Sequence, residues 1–131
     1  MVTFFDREEL SNSINGMSIG NQAELDNVLE KLADREPFFF ELLAENDYKL
    51  LVGFSNTVGC SQHSPANVDS PYLVAIAPTE QVTEDHFEFL MGGTPTPISK
   101  HYCMFWEQVR QITAHFLKTG DPSPYFLWEE I

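Results

Sequence analysis

Basic residues are scarce in this sequence and are absent from its central part. The chain of 131 residues has 7 Lys and Arg against 20 Asp and Glu, which gives a formal net charge of −13. No Lys or Arg occurs between Leu50 and Ser99. Such a chain repels phosphates, so we expect it to bind neither nucleic acid directly nor an anionic membrane surface. A basic protein is the partner that this charge would attract.

Long apolar runs and cysteines are also few. No stretch approaches the roughly 18 apolar residues that cross a bilayer. The first residues, MVTFFDREEL, have neither the basic flank nor the apolar run of a secretory leader. The two cysteines, Cys60 and Cys103, are expected to be reduced thiols rather than a disulfide framework. Together these features predict a cytoplasmic protein.

The residues that are present favour one folded domain. Hydrophobic residues make up 43% of the chain and include 11 Phe, enough for a core without disulfide or metal crosslinks. No repeat or linker divides the sequence. We therefore expect a single domain over residues 1–131.

Two segments have the periodicity of amphipathic helices. The first follows Asn21, which forms the pattern of a capping box with Glu24, and is expected to end at Pro37. The second runs from about Lys100 to Lys118, and Gly120 is expected to cap its C-terminus.

Short apolar segments separated by turn residues predict strands. They are an opening strand around Phe4 and Phe5, FFFELL (38–43), YKLLVGF (48–54), YLVAIA (72–77), HFEFLM (86–91) and the tail YFLWEEI (125–131). The Ser-, Asn- and Pro-rich residues 55–71 are expected to form a loop with at most a short strand, and GGTPTP (92–97) a turn. This order predicts an α+β fold, a mostly antiparallel sheet of about four to six strands with an N-terminal helix and a long C-terminal helix packed on it.

One set of residues has the chemistry of an enzyme or zinc site, namely Cys60, His63, His101 and Cys103. Zinc takes four such ligands, but CxxH and HxC are not common structural-zinc spacings, and helical residues two apart point to different faces. No nucleophile elbow or oxyanion-hole pattern surrounds either cysteine. A small Cys/His enzyme or zinc protein therefore remains a less favoured alternative.

The acidic segment PTEQVTEDHFEFLMGG (78–93) holds Glu80, Glu84, Asp85 and Glu88 and no basic residue. It lacks the alternating ligands and central glycine of a calcium loop, and nothing singles out a catalytic carboxylate pair. We expect no catalytic residue, metal or cofactor here.

These four acids and Asp69 predict an acidic face for binding a protein. A surface with only negative charges favours encounter with a basic partner, and aromatic residues within a charged rim are typical of binding hot spots. Tyr72 and Phe87 are the candidate aromatic contacts. The alternative is that the acids scatter over several loops and only keep the protein in solution.

From about Pro37 onward the sequence resembles the Imm1 family of bacterial immunity proteins. The similarity lies in PFFFELL, YKLLVGF, the turn GGTPTPIS and the closing FLKTGDPSPYFLWEE, in which Gly120 and prolines precede Trp128 and two acids. These are mostly packing and turn residues, and they carry no catalytic motif.

The resemblance implies a protein that binds and neutralises the C-terminal domain of a cognate bacterial toxin. Such toxins are often nucleic-acid deaminases or nucleases, whose basic grooves an acidic surface can cover in place of phosphates. The alternative function is that of an acidic adaptor or chaperone-like protein that binds another basic partner.

Overall fold

The computed structural model describes residues 1–68 and 71–131. Within them lie ten strands: β1 (Val2–Asp6), β2 (Met17–Ile19), β3 (Phe38–Leu43), β4 (Tyr48–Phe54), β5 (Val58–Pro65), β6 (Leu73–Ala75), β7 (His86–Met91), β8 (Thr94–Ser99), β9 (Met104–Phe105) and β10 (Trp128–Glu130). The helices are α1 (Gln22–Leu32), α2 (Trp106–Thr119) and a 3-10 helix, Lys100–Tyr102.

The strands form one mostly antiparallel sheet in the order β10-β6-β5-β4-β3-β1-β2. The hairpin β7–β8 joins the sheet through a single parallel pair, Phe38 with Leu90, and β9 pairs with β5. The predicted α+β class is confirmed, as are both α-helices and the β3–β4 hairpin. The sheet is larger than the four to six strands expected, and the 3-10 helix was not predicted.

The largest error concerns residues 55–71, which were expected to form a loop. Residues Val58–Pro65 instead form β5, a mostly buried strand that pairs with β4 on one side and β6 on the other. Its Ser, Gly and Pro content is typical of loops, but two neighbouring strands satisfy its backbone and outweigh that local preference.

A second error concerns GGTPTP, which was expected to be a turn throughout. Only Gly92 and Gly93 turn, with φ of 57° and 82° in the left-handed region that glycine adopts readily. Thr94–Ser99 continues as β8, which pairs with β7 alone. An edge strand tolerates proline on its unpaired side.

The helices also differ from expectation at their ends. Asn21 does cap α1, accepting from the Glu24 N–H at 3.0 Å, but the helix ends at Leu32, well before Pro37. The long C-terminal helix begins at Trp106 rather than near Lys100, because residues 100–105 form the 3-10 helix and β9. Gly120 caps it as predicted, with φ of 74°.

Apolar residues pack on both faces of the sheet. Alternate residues of β3 and β4, among them Phe40, Leu42 and Val52, form the main core with α1 and α2. On the opposite face Phe39 packs with Phe89 of the hairpin, ring centroids 5.3 Å apart, in a smaller second cluster. Among the described residues no helix has the length and apolar character to span a membrane.

Gly53 gives a direct test of the contact between hairpin and sheet. A Cβ at this position would lie 2.7 Å from the Cys60 Sγ and 2.9 Å from the Phe89 ring. We expect Gly53→Ala to lower the free energy of unfolding by about 1–3 kcal/mol, since overpacking forces the neighbours apart. Urea denaturation followed by fluorescence measures this.

The control for this change is Gly53→Ala combined with Cys60→Ala. Removing the sulfur relieves one of the two close contacts, so the double variant should lose less stability than the sum of the single changes. Equal stability of Gly53→Ala and the unaltered protein would contradict the tight contact between hairpin and sheet.

Candidate functional site

The hairpin β7–β8 leaves part of the second sheet face open, and an apolar groove lies between the two. The groove has a volume of about 310 Å³. Its walls come from the sheet strands, from β8, and from Tyr102 and Ile131 near the ends of neighbouring elements. Its lining residues include Leu51, Gln62, Val74, Met91, Pro97, Ile98, Tyr102 and Ile131.

Strand register places the floor of the groove in one row across the sheet. Leu51 of β4 lies opposite Gln62 of β5, which lies opposite Val74 of β6. The row continues to Glu41 on one side and to Glu129 on the other. Because directly opposed residues project from the same face, a carboxylate lies at each end of an apolar floor.

The loop after β1 holds the hairpin in place over this floor. The Gly92 N–H donates to the Arg7 carbonyl at 2.9 Å, and the Gly93 N–H donates to the Glu8 carboxylate at 3.0 Å. Asp6 organises the same loop by accepting from the backbone N–H groups of Glu8 and Glu9 and from Arg35 at 2.6 Å. The hairpin therefore has a fixed attachment at its turn.

The charge state of Asp6 follows from those bonds. Burial by itself would raise the pKa of its carboxyl, but hydrogen bonds from Arg35 and from the Glu9 N–H outweigh it and hold the pKa below the usual value. The carboxylate thus stays ionised at neutral pH and keeps its bond to Arg35.

The outer edge of β8 borders the groove and offers few donors. The Leu90 N–H donates to the Pro37 carbonyl at 2.8 Å, so the N–H groups of Phe89 and its alternate residues face β8. Phe89 lies opposite Thr96 in the register. Pro95 and Pro97 therefore have their ring nitrogens on the outer edge, which cannot supply the N–H groups that a further strand needs.

Several predicted acidic contacts lie near one another, but two of them are paired. The Lys100 Nζ lies 2.8 Å from Glu80 and 3.8 Å from Asp85. The bond to Glu80 raises the pKa of Lys100. Glu84 and Glu88 are exposed and have no ion pair in the described part of the chain. Glu84 and Glu88 are therefore the acids of β7 and its preceding loop without a nearby cation in the described residues, whereas Glu80 and Asp85 share the one positive charge of Lys100.

Strand alternation in β7 separates its two exposed polar residues from its aromatic residues. His86 and Glu88 are exposed, whereas Phe89 is fully buried and Phe87 packs beside it with ring centroids 5.0 Å apart. Phe87 is thus half-buried in the second cluster rather than presented to solvent. Glu88 alternates with Phe87 and Phe89, so it projects from the outer face of the hairpin, opposite to the face that packs on the sheet.

Of the two remaining predicted contacts, Tyr72 and Asp69, only Tyr72 lies among the described residues. Tyr72 is half-buried, and its carbonyl accepts from the Ile131 N–H at 3.0 Å, which places it next to the groove wall. Asp69 lies outside the described residues. Of the predicted contacts, Tyr72 thus lies beside the groove, Glu88 lies on the outer face of the hairpin, and Glu84 lies in the loop that leads into β7.

The Cys and His residues do not converge. Cys60 and His63 lie three apart on β5 and project from opposite faces, His101 is exposed, and Cys103 is buried under the second cluster. Among residues 1–68 and 71–131 no group of three or more His, Cys, Asp or Glu is arranged to hold a metal. Only the two cysteines come together, in the second cluster, while His63 is buried on the opposite face of β5.

Both thiols are also poor nucleophiles. Burial raises the pKa of Cys103 to about 11, and burial raises the pKa of Cys60 still further. The reactive species is the thiolate, which is rare at neutral pH under these conditions. The arrangement therefore offers no activated cysteine.

Sequence reasoning missed most of the groove. Met91 and Ile98 come from a hairpin whose second strand was expected to be a turn, and Gln62 from a strand expected to be a loop. Glu129 was noted only as an acid of the tail. The alternation of β4, with Leu51 facing away from the main core, is the one signal that could have indicated a second apolar face.

No family model and no curated protein sequence matches this chain. The class of protein rests on fold and site together. It is an α+β domain with an apolar groove and carboxylates at the ends of the groove floor, and the described residues hold no group of three or more His, Cys, Asp or Glu arranged to bind a metal.

Because His63 is buried, we predict that the free energy of unfolding of this protein depends on pH. Its ring is buried against Tyr48, at 4.9 Å between centroids, and its Nε2–H donates to the Gly120 carbonyl at 2.9 Å. Burial lowers the pKa of His63, although the Gly120 bond and Asp121 act in the opposite sense. The unfolded state therefore takes up the proton first, so stability is full above about pH 6.5 and falls as the pH drops.

Urea denaturation midpoints at pH 7.5 and 5.0 measure this loss. His63→Gln keeps an amide donor without a titrating ring, so the drop in the denaturation midpoint between pH 7.5 and 5.0 should be smaller in this variant. His101→Gln, at an exposed position, is the matched control and should leave it unchanged. If the denaturation midpoint dropped equally in the two variants, the role given to His63 would be contradicted.

Proposed function

We propose that this protein is an immunity protein of the Imm1 type, which binds a cognate toxin domain in the cytoplasm and blocks it without catalysis. The observation that carries the proposal is the position of unpaired acids beside an apolar groove. Glu129 lies at the end of the groove floor, Glu88 is exposed on the outer face of the hairpin that walls the groove, and neither has an ion pair within the described residues. Charged rims around apolar centres are typical of protein interfaces.

The sequence resemblance gives the second line of support. Its segments correspond to β3 and β4, the β7–β8 turn with β8, and the end of α2 through β10. Phe116 is fully buried, and Gly120 adopts the left-handed conformation at the helix end. The shared residues thus have structural roles, which fits a family defined by its fold rather than by a catalytic motif.

The proposed mechanism is electrostatic competition for a basic surface. A toxin that acts on DNA or RNA needs Lys and Arg to hold phosphates. The exposed carboxylates Glu84, Glu88 and Glu129 can neutralise such groups, and the bound protein then covers the substrate groove. Protection at low toxin copy number requires affinity of about −12 kcal/mol, a nanomolar dissociation constant.

The double variant Glu84→Gln, Glu88→Gln removes two exposed negative charges and tests whether they contribute to binding. Exposed ion pairs contribute modestly, so we expect the dissociation constant to rise by about threefold to tenfold at 50 mM salt. The difference between 50 and 300 mM salt should also shrink, because rim charges mainly accelerate association. The ligand is the toxin domain encoded by the adjacent upstream reading frame, and titration calorimetry or surface plasmon resonance measures binding.

A matched control removes two charges from the opposite side of the sheet. Glu30→Gln with Glu107→Gln lies on the exposed surfaces of α1 and α2 and should leave affinity and growth rescue nearly unchanged. Equal losses in the two double variants would remove the specific role of the acidic segment. Absence of binding by the unaltered protein, together with no rescue of growth against the co-expressed toxin, would overturn the immunity function itself.

A further inference from the structure

We propose that the groove receives an apolar side chain from a Lys- or Arg-flanked segment of the partner. This inference rests on the proposed function and names the part of the toxin domain that docks. The groove is floored by Leu51, Gln62 and Val74 and walled by Met91 and Ile98. It would hold the desolvated contact that gives the complex its long lifetime, while the surrounding acids guide association.

The lining determines what kind of group the groove accepts. Aliphatic and thioether side chains from Leu51, Val74, Met91 and Ile98 dominate it. The Tyr102 hydroxyl is already engaged by Glu129, to which it donates. A volume of about 310 Å³ is at the lower limit of ligand pockets, which suits a large aliphatic or aromatic side chain rather than a cofactor.

The edge of β8 determines how the partner can enter. Pro95 and Pro97 leave its outer edge without the alternate N–H groups of a strand ladder. A partner strand therefore cannot extend the sheet along this edge by regular pairing. Along this edge, recognition therefore comes through a side chain placed in the groove rather than through an added strand.

Charge complementarity favours a basic segment over the other occupants. Glu129, at one end of the floor, has no basic partner in residues 1–68 and 71–131, whereas Glu41 at the other end lies 4.0 Å from Lys49. A free apolar ligand gains nothing from this rim. A second copy of a chain with a net charge of −13 would be repelled by it.

The test fills the groove without changing charge. Gln62 is half-buried in the floor, so Gln62→Trp should occupy the space that the partner's side chain needs. We expect the dissociation constant for the upstream-encoded toxin domain to rise about thirtyfold or more, as at an interface hot spot. The ratio of affinities at 50 and 300 mM salt should stay the same, because the acids are untouched.

The matched control is Gln111→Trp, the same change at an exposed position of α2 on the opposite face. It should bind as the unaltered protein does. Thermal midpoints establish that both variants fold. Should Gln62→Trp fail to fold, intermolecular NOEs from the toxin domain to the methyl groups of Leu51, Met91 and Ile98 in the unaltered protein decide the matter, since their absence from a formed complex would overturn the proposal.

The outcomes separate this inference from the function on which it rests. Salt-dependent binding that is unaffected by Gln62→Trp would keep the immunity function and overturn the groove contact. No binding by the unaltered protein would overturn both. A dimer in light scattering that Gln62→Trp dissociates would assign the groove to a second copy, and a small molecule retained in native mass spectrometry and displaced by Gln62→Trp would assign it to a free ligand. Either result would overturn the proposal.

Discussion

The run of three phenylalanines at the start of β3 sets the main constraint on this fold. Successive residues of a strand project from opposite faces, so Phe38 and Phe40 enter one side of the sheet and Phe39 the other. All three are buried, at 3% exposure or less. Burying each ring contributes about 1.5–3 kcal/mol, and no one-sided sheet could bury all three. Both faces therefore need a covering layer.

The two faces meet this need differently. Helices α1 and α2 cover the first face completely, and their apolar residues complete the main core. The second face is covered by the hairpin β7–β8, whose Phe89 packs on Phe39. A two-stranded hairpin is narrower than the sheet beneath it. The uncovered remainder, between β8 and the strands β4 to β6, is the groove on which the proposed function depends.

Much of the framework was predictable because its signals are local. The capping pattern at Asn21, the apolar periodicity of the two helices and the FFFELL–YKLLVGF hairpin require only short-range information, and all are present. The acidic segment was also visible, and the exposure of Glu84 and Glu88 agrees with it. Glu80 and Asp85 nevertheless share the single positive charge of Lys100, which the sequence places just beyond the basic-free stretch.

The groove could not be predicted because it depends on long-range pairing. Strand β5 is composed like a loop and is stabilised by its neighbours β4 and β6. Strand β8 contains two prolines that only an edge position tolerates. The row from Leu51 through Gln62 and Val74 to Glu129 joins the consecutive strands β4, β5 and β6 to β10, which comes at the other side of α2 in the sequence. The composition and periodicity of a single segment do not show which other strand it pairs with, and a strand composed like a loop gives only a weak hydrophobic pattern from which to fix a register.

The central claim is that a basic protein docks on the groove side of this sheet and not on the helices. Amide hydrogen exchange of the protein, alone and with the upstream-encoded toxin domain, tests it most directly. The account predicts slower exchange in residues 86–99 and 126–131 and no change in the exposed surfaces of α1 and α2. Protection confined to the helices, with the hairpin unchanged, would contradict it.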